Sequence, residues 1–244
     1  MKAFKALLGF CGGCLLAAGL PMQNAIAISE EDLLEKFGQV SVFVLSDGAG
    51  GYVTTRADLP NDGLGDIDLL QVFFNEDDAK KLGEQVRQAN ADFRENGVVG
   101  IASLATIHLS AAEQRDNPLK VVFVPQEEDL EAAQALDPAF LEGANNAASI
   151  VPLFGIQNGD GDFIGLSFGD SDEQIIGMFF SSSDAMDVLA AVNEAQPGLQ
   201  AQLGVVSLGN FTQLMLNSDD EVFERVMFLQ SEDVVNSNQS LVDE

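Results

Sequence analysis

The stretch whose residue types most resemble a metal site is IQNGDGDFIG, residues 156–165. Asn158, Asp160 and Asp162 alternate along it, as the first oxygen ligands of a calcium-binding loop do. A calcium loop also needs a glycine at its sixth position and a bidentate glutamate at its twelfth. Counted from Asn158, these positions hold a phenylalanine and a glycine. The sequence therefore favours a hairpin turn, with an incidental cation contact as the alternative.

Few residues are suited to acid–base or nucleophilic catalysis. After residue 27 the sequence has one histidine, His108, and neither cysteine nor tryptophan. His108 lies in ATIHLSA, which predicts a strand or strand end, and we interpret it as a structural residue rather than a catalytic base. This composition excludes zinc sites built on nitrogen and sulfur ligands. The glycines at 48, 50 and 51 lack the following Lys-Ser/Thr of a phosphate-binding loop, and they favour a tight hairpin.

Carboxylates are abundant, but their positions do not predict a catalytic pair. Catalytic carboxylates depend on burial or close pairing, which shifts their pKa values. Here the acidic residues fall mainly in predicted loops, helix starts and the C-terminal tail, where water solvates them. The sequence therefore predicts a protein that is not an enzyme and that holds neither a cofactor nor a metal.

The N-terminal residues are typical of a targeting segment. A basic start is followed by an apolar run over residues 6–20 and by Ala25-Ile26-Ala27, which predicts a signal peptide at residues 1–27 with cleavage after Ala27. The run is shorter than the roughly 20 residues that span a membrane, and no later stretch is long and apolar enough. We expect an exported protein without an integral membrane segment. Cys11 and Cys14 lie within the run and leave a lipoprotein as the alternative.

The charge of the chain is strongly negative. Without Lys2 and Lys5, 9 basic residues stand against 39 acidic ones, a formal charge of −30. Such a surface repels nucleic acid and anionic lipid, so neither is an expected partner. The acidic surface favours solubility, and basic partners or divalent cations are the alternative reading.

Four blocks of sequence recur in the same order in the two halves of the chain. The first pairs VFVLSDG at residues 42–48 with LFGIQNG at residues 153–159, and Tyr52 with Phe163. Three further pairs of blocks follow: residues 72–89 with 178–195, 98–109 with 203–214, and 119–133 with 224–238. An internal repeat of this length predicts two copies of one structural unit.

Each unit has the same predicted elements. A strand, a glycine-rich turn and a second strand come first, followed by a short apolar strand and a helix that Asn75 or Ser182 can cap. A third strand leads through Ser103 or Ser207 into a short helical or irregular piece, and a fourth strand leads into an acidic helical segment. An amphipathic helix with a capping box at Ser29 precedes the first unit.

This order of strands and helices predicts an α/β fold: a mixed α+β, internally duplicated, pseudo-twofold body whose mixed sheet is covered by helices and carries apolar grooves. Two similar lobes are the alternative arrangement. The expected domains are an N-terminal repeat half at 28–145, a C-terminal repeat half at 146–231 and an acidic flexible tail at 232–244, with a link at 143–148.

Phenylalanines are the residues through which such a body could bind other chains. Fifteen remain after residue 27, and several occupy equivalent positions in the two halves. Most belong in a core, but symmetry-related apolar grooves can bind extended or partly folded chains. The candidates for lining such grooves are Phe73, Phe74, Phe123, Phe154, Phe179, Phe180 and Phe228.

The repeat blocks resemble the twenty-two-kilodalton Tic family, named after the intermembrane-space subunit of the chloroplast inner-envelope import translocon. IVPLFGIQNGDGDFIGL, IIGMFFSSSDAMDVLAAVNEAQPGL, GVVSLGNFTQL and FERVMFLQSEDV follow in the family's order. The resemblance covers residues 38–238 and is stronger in the second half. The first half departs from the pattern, because it carries an insertion at residues 56–71 and lacks the proline before Phe43.

The resemblance implies a pseudo-symmetric α/β fold with apolar pockets on two faces, and a chaperone-like role in protein transport. For a cyanobacterial member it implies residence in the periplasm and a part in outer-membrane biogenesis. The expected partners are unfolded or precursor outer-membrane proteins and components of the barrel-assembly or translocon machinery. The thylakoid lumen is the alternative compartment, and family relatives occupy an organelle intermembrane space. The alternative function is a structural or scaffolding subunit that does not hold clients.

Overall fold

The computed structural model describes residues 28–58, 66–113, 119–142, 150–167, 174–231 and Val234. The predicted signal peptide and the predicted link at 143–148 lie outside the described residues. So does the predicted tail at 232–244, apart from Val234.

The first half of the chain forms five helices and five strands in the described ranges. In chain order these are α1 (Glu30–Gly38), β1 (Ser41–Ser46), β2 (Thr55–Asp58), β3 (Asp66–Phe73), α2 (Glu76–Ala89), α3 (Ala91–Asn96), β4 (Val98–Ser103), α4 (Leu104–Ala112), β5 (Leu119–Val124) and α5 (Glu127–Leu136). The second half continues with β6 (Pro152–Gln157), β7 (Leu166–Ser167), β8 (Gln174–Phe179), α6 (Ser182–Ala195), β9 (Gln202–Ser207), α7 (Leu208–Asn217) and β10 (Val226–Leu229). Short 3-10 helices at Pro197–Leu199 and Glu221–Arg225 complete it.

The two halves build two sheets with the same connections. In the first sheet β3 pairs antiparallel with β1 and β2 and parallel with β5, while β1 pairs antiparallel with β4. In the second, β8 pairs in the same senses with β6, β7 and β10, and β6 pairs with β9. The register also repeats, since Val72 lies opposite Phe123 and Met178 lies opposite Phe228. The predicted duplicated α/β fold is therefore confirmed.

Successive side chains of a strand point to opposite faces, and this alternation divides the core. Val42 and Val72 belong to a central cluster that takes residues from both halves, whereas Phe43 and Phe73 pack with Ala79 of α2 on the other face of their sheet. The second sheet repeats the division: Met178 is central, and Phe179 packs against α6. The two sheets therefore share one core, and the alternative of two separate lobes is wrong.

Elements from each half pack on the opposite half. α5 follows β5 in sequence but contacts α6, β6 and β9 of the second half. Conversely, Val234 packs on the first sheet with Phe43 and Phe73. α1 lies between α4 of the first half and β10 of the second. The halves are thus interlocked by segments that cross between them.

The predicted N-caps at Ser29 and Asn75 are confirmed, and the one at Ser182 is wrong. Ser29, Asn75, Ser103 and Ser207 all accept hydrogen bonds from first-turn backbone N–H groups, as N-caps do. In α6 the cap is the residue before Ser182, since the Ser181 hydroxyl accepts from the N–H of residue 184. Ser182 is the first helical residue instead. Residues 72–89 align with residues 178–195 without a gap, and this alignment pairs Asn75 with Ser181 rather than with Ser182.

Candidate binding site

The loop that resembles a calcium site is a hairpin turn. The Asn158 side-chain oxygen accepts hydrogen bonds from the backbone N–H groups of Asp160 at 2.9 Å and Asp162 at 3.0 Å. In the first copy, Asp47 Oδ1 accepts hydrogen bonds from the backbone N–H groups of Ala49 and Gly51, both at 2.9 Å. These hydrogen bonds are those of an Asx turn that closes a hairpin. Among the described residues, no group of three or more His, Cys, Asp or Glu side chains is arranged to hold a metal ion.

The glycines of this turn have different roles. In the second copy positive φ occurs at Gly161 (90°) and not at Gly159, the glycine directly after Asn158. Gly50, the counterpart of Gly161, has the same φ of 90°, so the left-handed position is common to both copies. In the first copy Gly48 is left-handed as well, at 76°.

His108 is not placed as a catalytic base. It lies in α4 rather than in a strand, because Ser103 caps a helix that begins one residue later. Its side chain is exposed, and its ring stands edge-on to Phe37 with 6.4 Å between centroids. It therefore borders the helix α1.

Four of the seven candidate phenylalanines come together in one row of rings. Phe74 and Phe180, which are equivalent in the two halves, stack with 4.8 Å between centroids. Phe123 lies 5.8 Å from Phe74 on one side, and Phe228 lies 6.0 Å from Phe180 on the other. Phe37 of α1 extends the row, 5.6 Å from Phe228. We call these five residues the phenylalanine row.

The burial of the candidates separates one of them from the rest. Six are between 0 and 8% exposed and form part of the core, and they are Phe73, Phe74, Phe154, Phe179, Phe180 and Phe228. Phe123 is half-buried and is the open end of the phenylalanine row. The interpretation of the full set as groove-lining residues stays a prediction. In each of the adjacent pairs at 73–74 and 179–180, the two phenylalanines lie on opposite faces of their sheet. The alternation of side chains along a strand could have predicted this difference.

A buried carboxylate lies where the halves cross, and no pattern in the sequence pointed to it. Asp129 of α5 is 4% exposed, and its Oδ1 accepts a hydrogen bond from the backbone N–H of Ser182 at 2.8 Å. Burial raises the pKa of Asp129, and its hydrogen bonds with Ser182 partly oppose the increase. Asp129 therefore holds α5 to the N-terminus of α6, where a helix dipole favours negative charge.

The cavity beside Asp129 is too small for a metabolite. It has a volume of about 20 Å³ and lies between Phe74, Phe180 and the segments that cross between the halves. That volume is close to the space needed by one water molecule. A second cavity of about 190 Å³ lies between Phe140 and residues 205–207 of β9. Within the described ranges, no helix is long and apolar enough to cross a bilayer.

Comparisons with known proteins agree with this architecture. Residues 16–240 match the model of the Tic22-like family. The fold is similar to that of Anabaena Tic22 (protein transport), with 20% identity, a TM-score of 0.72, and coverage of 87% of this chain and 97% of that one.

Tic22 from Plasmodium falciparum is similar at 14% identity and a TM-score of 0.62, covering 86% of this chain and 98% of that one. A comparison with curated protein sequences gives no match. No catalytic family is indicated by these comparisons. Because the family model covers most of its length, this chain belongs to the Tic22-like family.

Proposed function

We propose that this protein is a non-enzymatic, chaperone-like transport factor that binds precursors of outer-membrane proteins in the periplasm. The observation that carries the proposal is the family match over residues 16–240. The compartment follows from the predicted signal peptide, and the cyanobacterial assignment from the sequence resemblance. The thylakoid lumen is the alternative compartment, and fractionation of cells that carry the tagged protein distinguishes the two.

The surface chemistry supports a binding role. The phenylalanine row joins both halves and ends at the half-buried Phe123. Further apolar side chains are exposed on the described surface, including Leu109, Met186 and Leu214 at 53, 50 and 50%. Apolar surface of this kind contacts unfolded chains, while the excess of acidic residues keeps copies of the protein apart.

The test is an aggregation assay. A β-barrel precursor unfolded in urea is diluted into buffer with and without the protein, and its light scattering is followed. We expect the protein to delay aggregation, and to do so less well when salt screens attraction to basic segments of the precursor. Scattering equal to that with an inert protein of similar charge would refute the chaperone-like function.

A second candidate is a scaffolding subunit of a barrel-assembly or translocon complex. The observation that favours it is the burial of six candidate rings together with two strands at sheet edges, β4 and β9. Leu208 donates its N–H to the carbonyl of Val151, so the alternating pattern turns the N–H and C=O groups of Val205 away from β6. An edge of this kind can add a strand from a fixed partner.

Crosslinking in cells separates the two candidates. A client-binding factor yields many precursors in low amounts, whereas a scaffold yields one stable partner. Photo-crosslinkers at Phe123 and at Val205 report on the apolar end of the row and on the edge strand respectively. Capture of many precursors at Phe123 supports the first candidate, and one partner at Val205 supports the second.

A further inference from the structure

The buried carboxylate of Asp129 has an apolar counterpart in the other copy of the repeat. Residues 119–133 align with residues 224–238 without a gap, and this alignment pairs Asp129 with Val234. The two side chains are buried to the same degree, at 4% and 5% exposure. Val234 packs on the first sheet, as α5 packs on the second. Because a valine fills this place in one copy, the fold does not require an ionisable group there.

α5 and the turn after it cover the outer face of the second sheet, which is the face that points away from the central cluster. Ala133 of α5 and Phe140 of the turn pack there against three residues of the second half, which are Phe154, Phe179 and Ala185. We call residues 127–142 the α5 strap. It starts from the first half and closes over the second.

The α5 strap has few buried apolar groups to hold it in place. The buried residues of α5 are Ala133 and Asp129, so a single methyl group accompanies the carboxylate. Gln126, the N-cap of α5, makes no side-chain capping hydrogen bond. Cavities of about 20 and 190 Å³ lie beside Asp129 and beside Phe140. Segments with few buried apolar contacts open at a lower free energy than the rest of a structure, so the charge state of Asp129 has a large share in the attachment.

The surroundings of Asp129 add negative charge and no described positive charge. Its Oδ1 accepts a hydrogen bond from the N–H of Ser182 at 2.8 Å. The charged groups that act on it from the described residues are Glu128 of α5 and Asp184 of α6, and both are acidic. The other described residues that line the cavity beside it carry no charge. Ionisation therefore places a negative charge in a buried position close to two others.

The effect of pH on the strap has a defined sign. Burial raises the pKa of Asp129 when the strap is closed, whereas water solvates the carboxylate when the strap is released. The stability that the proton gives the closed strap is complete below the ordinary pKa of 3.8 and is lost as the pH rises through the raised value. Above that value the strap opens about tenfold more often for each unit of pKa increase.

We propose that the α5 strap is a pH-dependent cover, which is held closed over the outer face of the second sheet while Asp129 is protonated and is released when Asp129 ionises. Release uncovers Phe154 and Phe179, while the phenylalanine row stays packed on the other face of the sheets. Val234 does not titrate, so the first sheet lacks this control. The apolar area that the protein presents therefore grows from acid to neutral pH. The cover goes beyond the proposed function, since it exists whether or not the protein binds precursors.

Hydrogen–deuterium exchange of the full chain tests the cover at several pH values between acid and neutral. Each rate is corrected for the exchange of a free amide at the same pH. We expect opening of residues 127–142 to increase with pH in the wild type, by about tenfold for each unit of pKa increase, and to stay constant in Asp129→Asn and Asp129→Val. Glu131→Gln, at an exposed position of α5, is the matched control and keeps the wild-type dependence. α2 (Glu76–Ala89) is the internal reference and does not follow it.

A buried thiol tests whether opening uncovers the outer face. Ala133 is 0% exposed, so Ala133→Cys places a thiol beneath the closed strap. With Cys11→Ser and Cys14→Ser it is the only thiol of the chain. Its alkylation rate is divided by that of the same chain carrying Asp129→Asn, because the ratio cancels the titration of the thiol itself. We expect this ratio to rise from acid to neutral pH by the same factor as the exchange.

Four outcomes overturn the cover. The first is opening of residues 127–142 that does not change with pH in the wild type. The second is the wild-type dependence persisting in Asp129→Asn, or in Asp129→Val. The third is an equal dependence in α2, which would show global unfolding instead of release of the strap. The fourth is an alkylation ratio that stays constant with pH. None of them changes the aggregation assay, so the proposed function is refuted or supported separately.

Discussion

Asp129 is the residue at which a small change tests the connection between the halves. Its carboxylate is 4% exposed and accepts a hydrogen bond from the N–H of Ser182, which is 6% exposed. The partners are 53 residues apart in sequence and belong to different halves. We predict opposite outcomes for Asp129→Ala and Asp129→Asn, although both remove the charge.

The magnitude follows from the groups left behind. Alanine leaves the buried N–H of Ser182 without this acceptor, and an unsatisfied buried polar group costs about 1–3 kcal/mol of unfolding free energy. Asparagine keeps an oxygen at the same place and removes the desolvated charge. Since burial is the main cause that raises the pKa of Asp129, the asparagine variant at neutral pH should be at least as stable as the wild type.

The pH dependence has a defined sign. The pKa of Asp129 is raised in the folded state, so the folded protein holds the proton more tightly than the unfolded chain. The stability that this proton contributes is complete below the ordinary pKa of 3.8 and is lost as the pH rises through the raised value. The loss is about 1.4 kcal/mol for each unit of pKa increase. The asparagine side chain of the Asp129→Asn variant does not titrate, so this variant gains stability relative to the wild type over this interval.

The assay is urea unfolding of wild type and both variants at several pH values between acid and neutral. The negative charges of Glu128 and Asp184 also raise the pKa of this carboxylate, so the control for general loss of negative charge is Glu131→Gln, at an exposed position of α5. A stability difference between Asp129→Asn and wild type that does not change with pH would refute the reasoning. So would an alanine variant as stable as the asparagine variant.

Three further predictions concern α1 and the turn. Phe37→Ala should lower the unfolding free energy by about 3–5 kcal/mol, because it removes a ring that is only 5% exposed. Leu34→Ala, at a half-buried position of the same helix, should cause a much smaller loss. Chemical denaturation measures both losses, and equal values would show that α1 does not hold the core. Gly161→Ala should lower the unfolding free energy by roughly 1–2 kcal/mol, because the φ of Gly161 is 90°. A Cβ atom would meet no neighbour at Gly159 or at Gly161, but φ is not positive at Gly159, so Gly159→Ala should be nearly neutral in thermal unfolding. Similar effects of the two variants would contradict the turn geometry. Calcium should raise the melting temperature of the wild type no more than that of Asp160→Asn in the same scan, and a larger rise would restore the loop as a cation site.

Much of the fold could be predicted from short stretches of sequence. Alternating apolar residues, Asx-Gly turns and N-cap residues act within a few positions, so the helices after Ser103 and Ser207 and the hairpin at Asn158 were predictable. The repeat then supplied a second reading of each element. Where the local signal was ambiguous the predictions were wrong: His108 was placed in a strand, and the α6 cap was placed one residue late.

The candidate site was predictable only in part. Sequence position marked Phe74, Phe123, Phe180 and Phe228 as paired residues, and the structure brings these four into one row. Sequence position could not separate these four from Phe73, Phe154 and Phe179, which lie on the opposite faces of the sheets. The difference depends on which side of each sheet the partner half packs. Sequence position also offered no reason to single out Phe37, which reaches the row from another element.

What the sequence by itself determined about this protein is the duplicated order of elements, the acidic surface and the scarcity of catalytic groups, since all three are carried by residue type and local spacing. What only the tertiary structure decided is how the copies differ. The contact between Lys36 and Val226 spans 190 residues, and the one between Asp129 and Ser182 spans 53. No local pattern encodes contacts at such separation, because they exist only once the two sheets share a core. The Lys36 contact belongs to α1, whose Phe37 packs on Phe228, while Phe123 stays half-buried at the other end of the phenylalanine row.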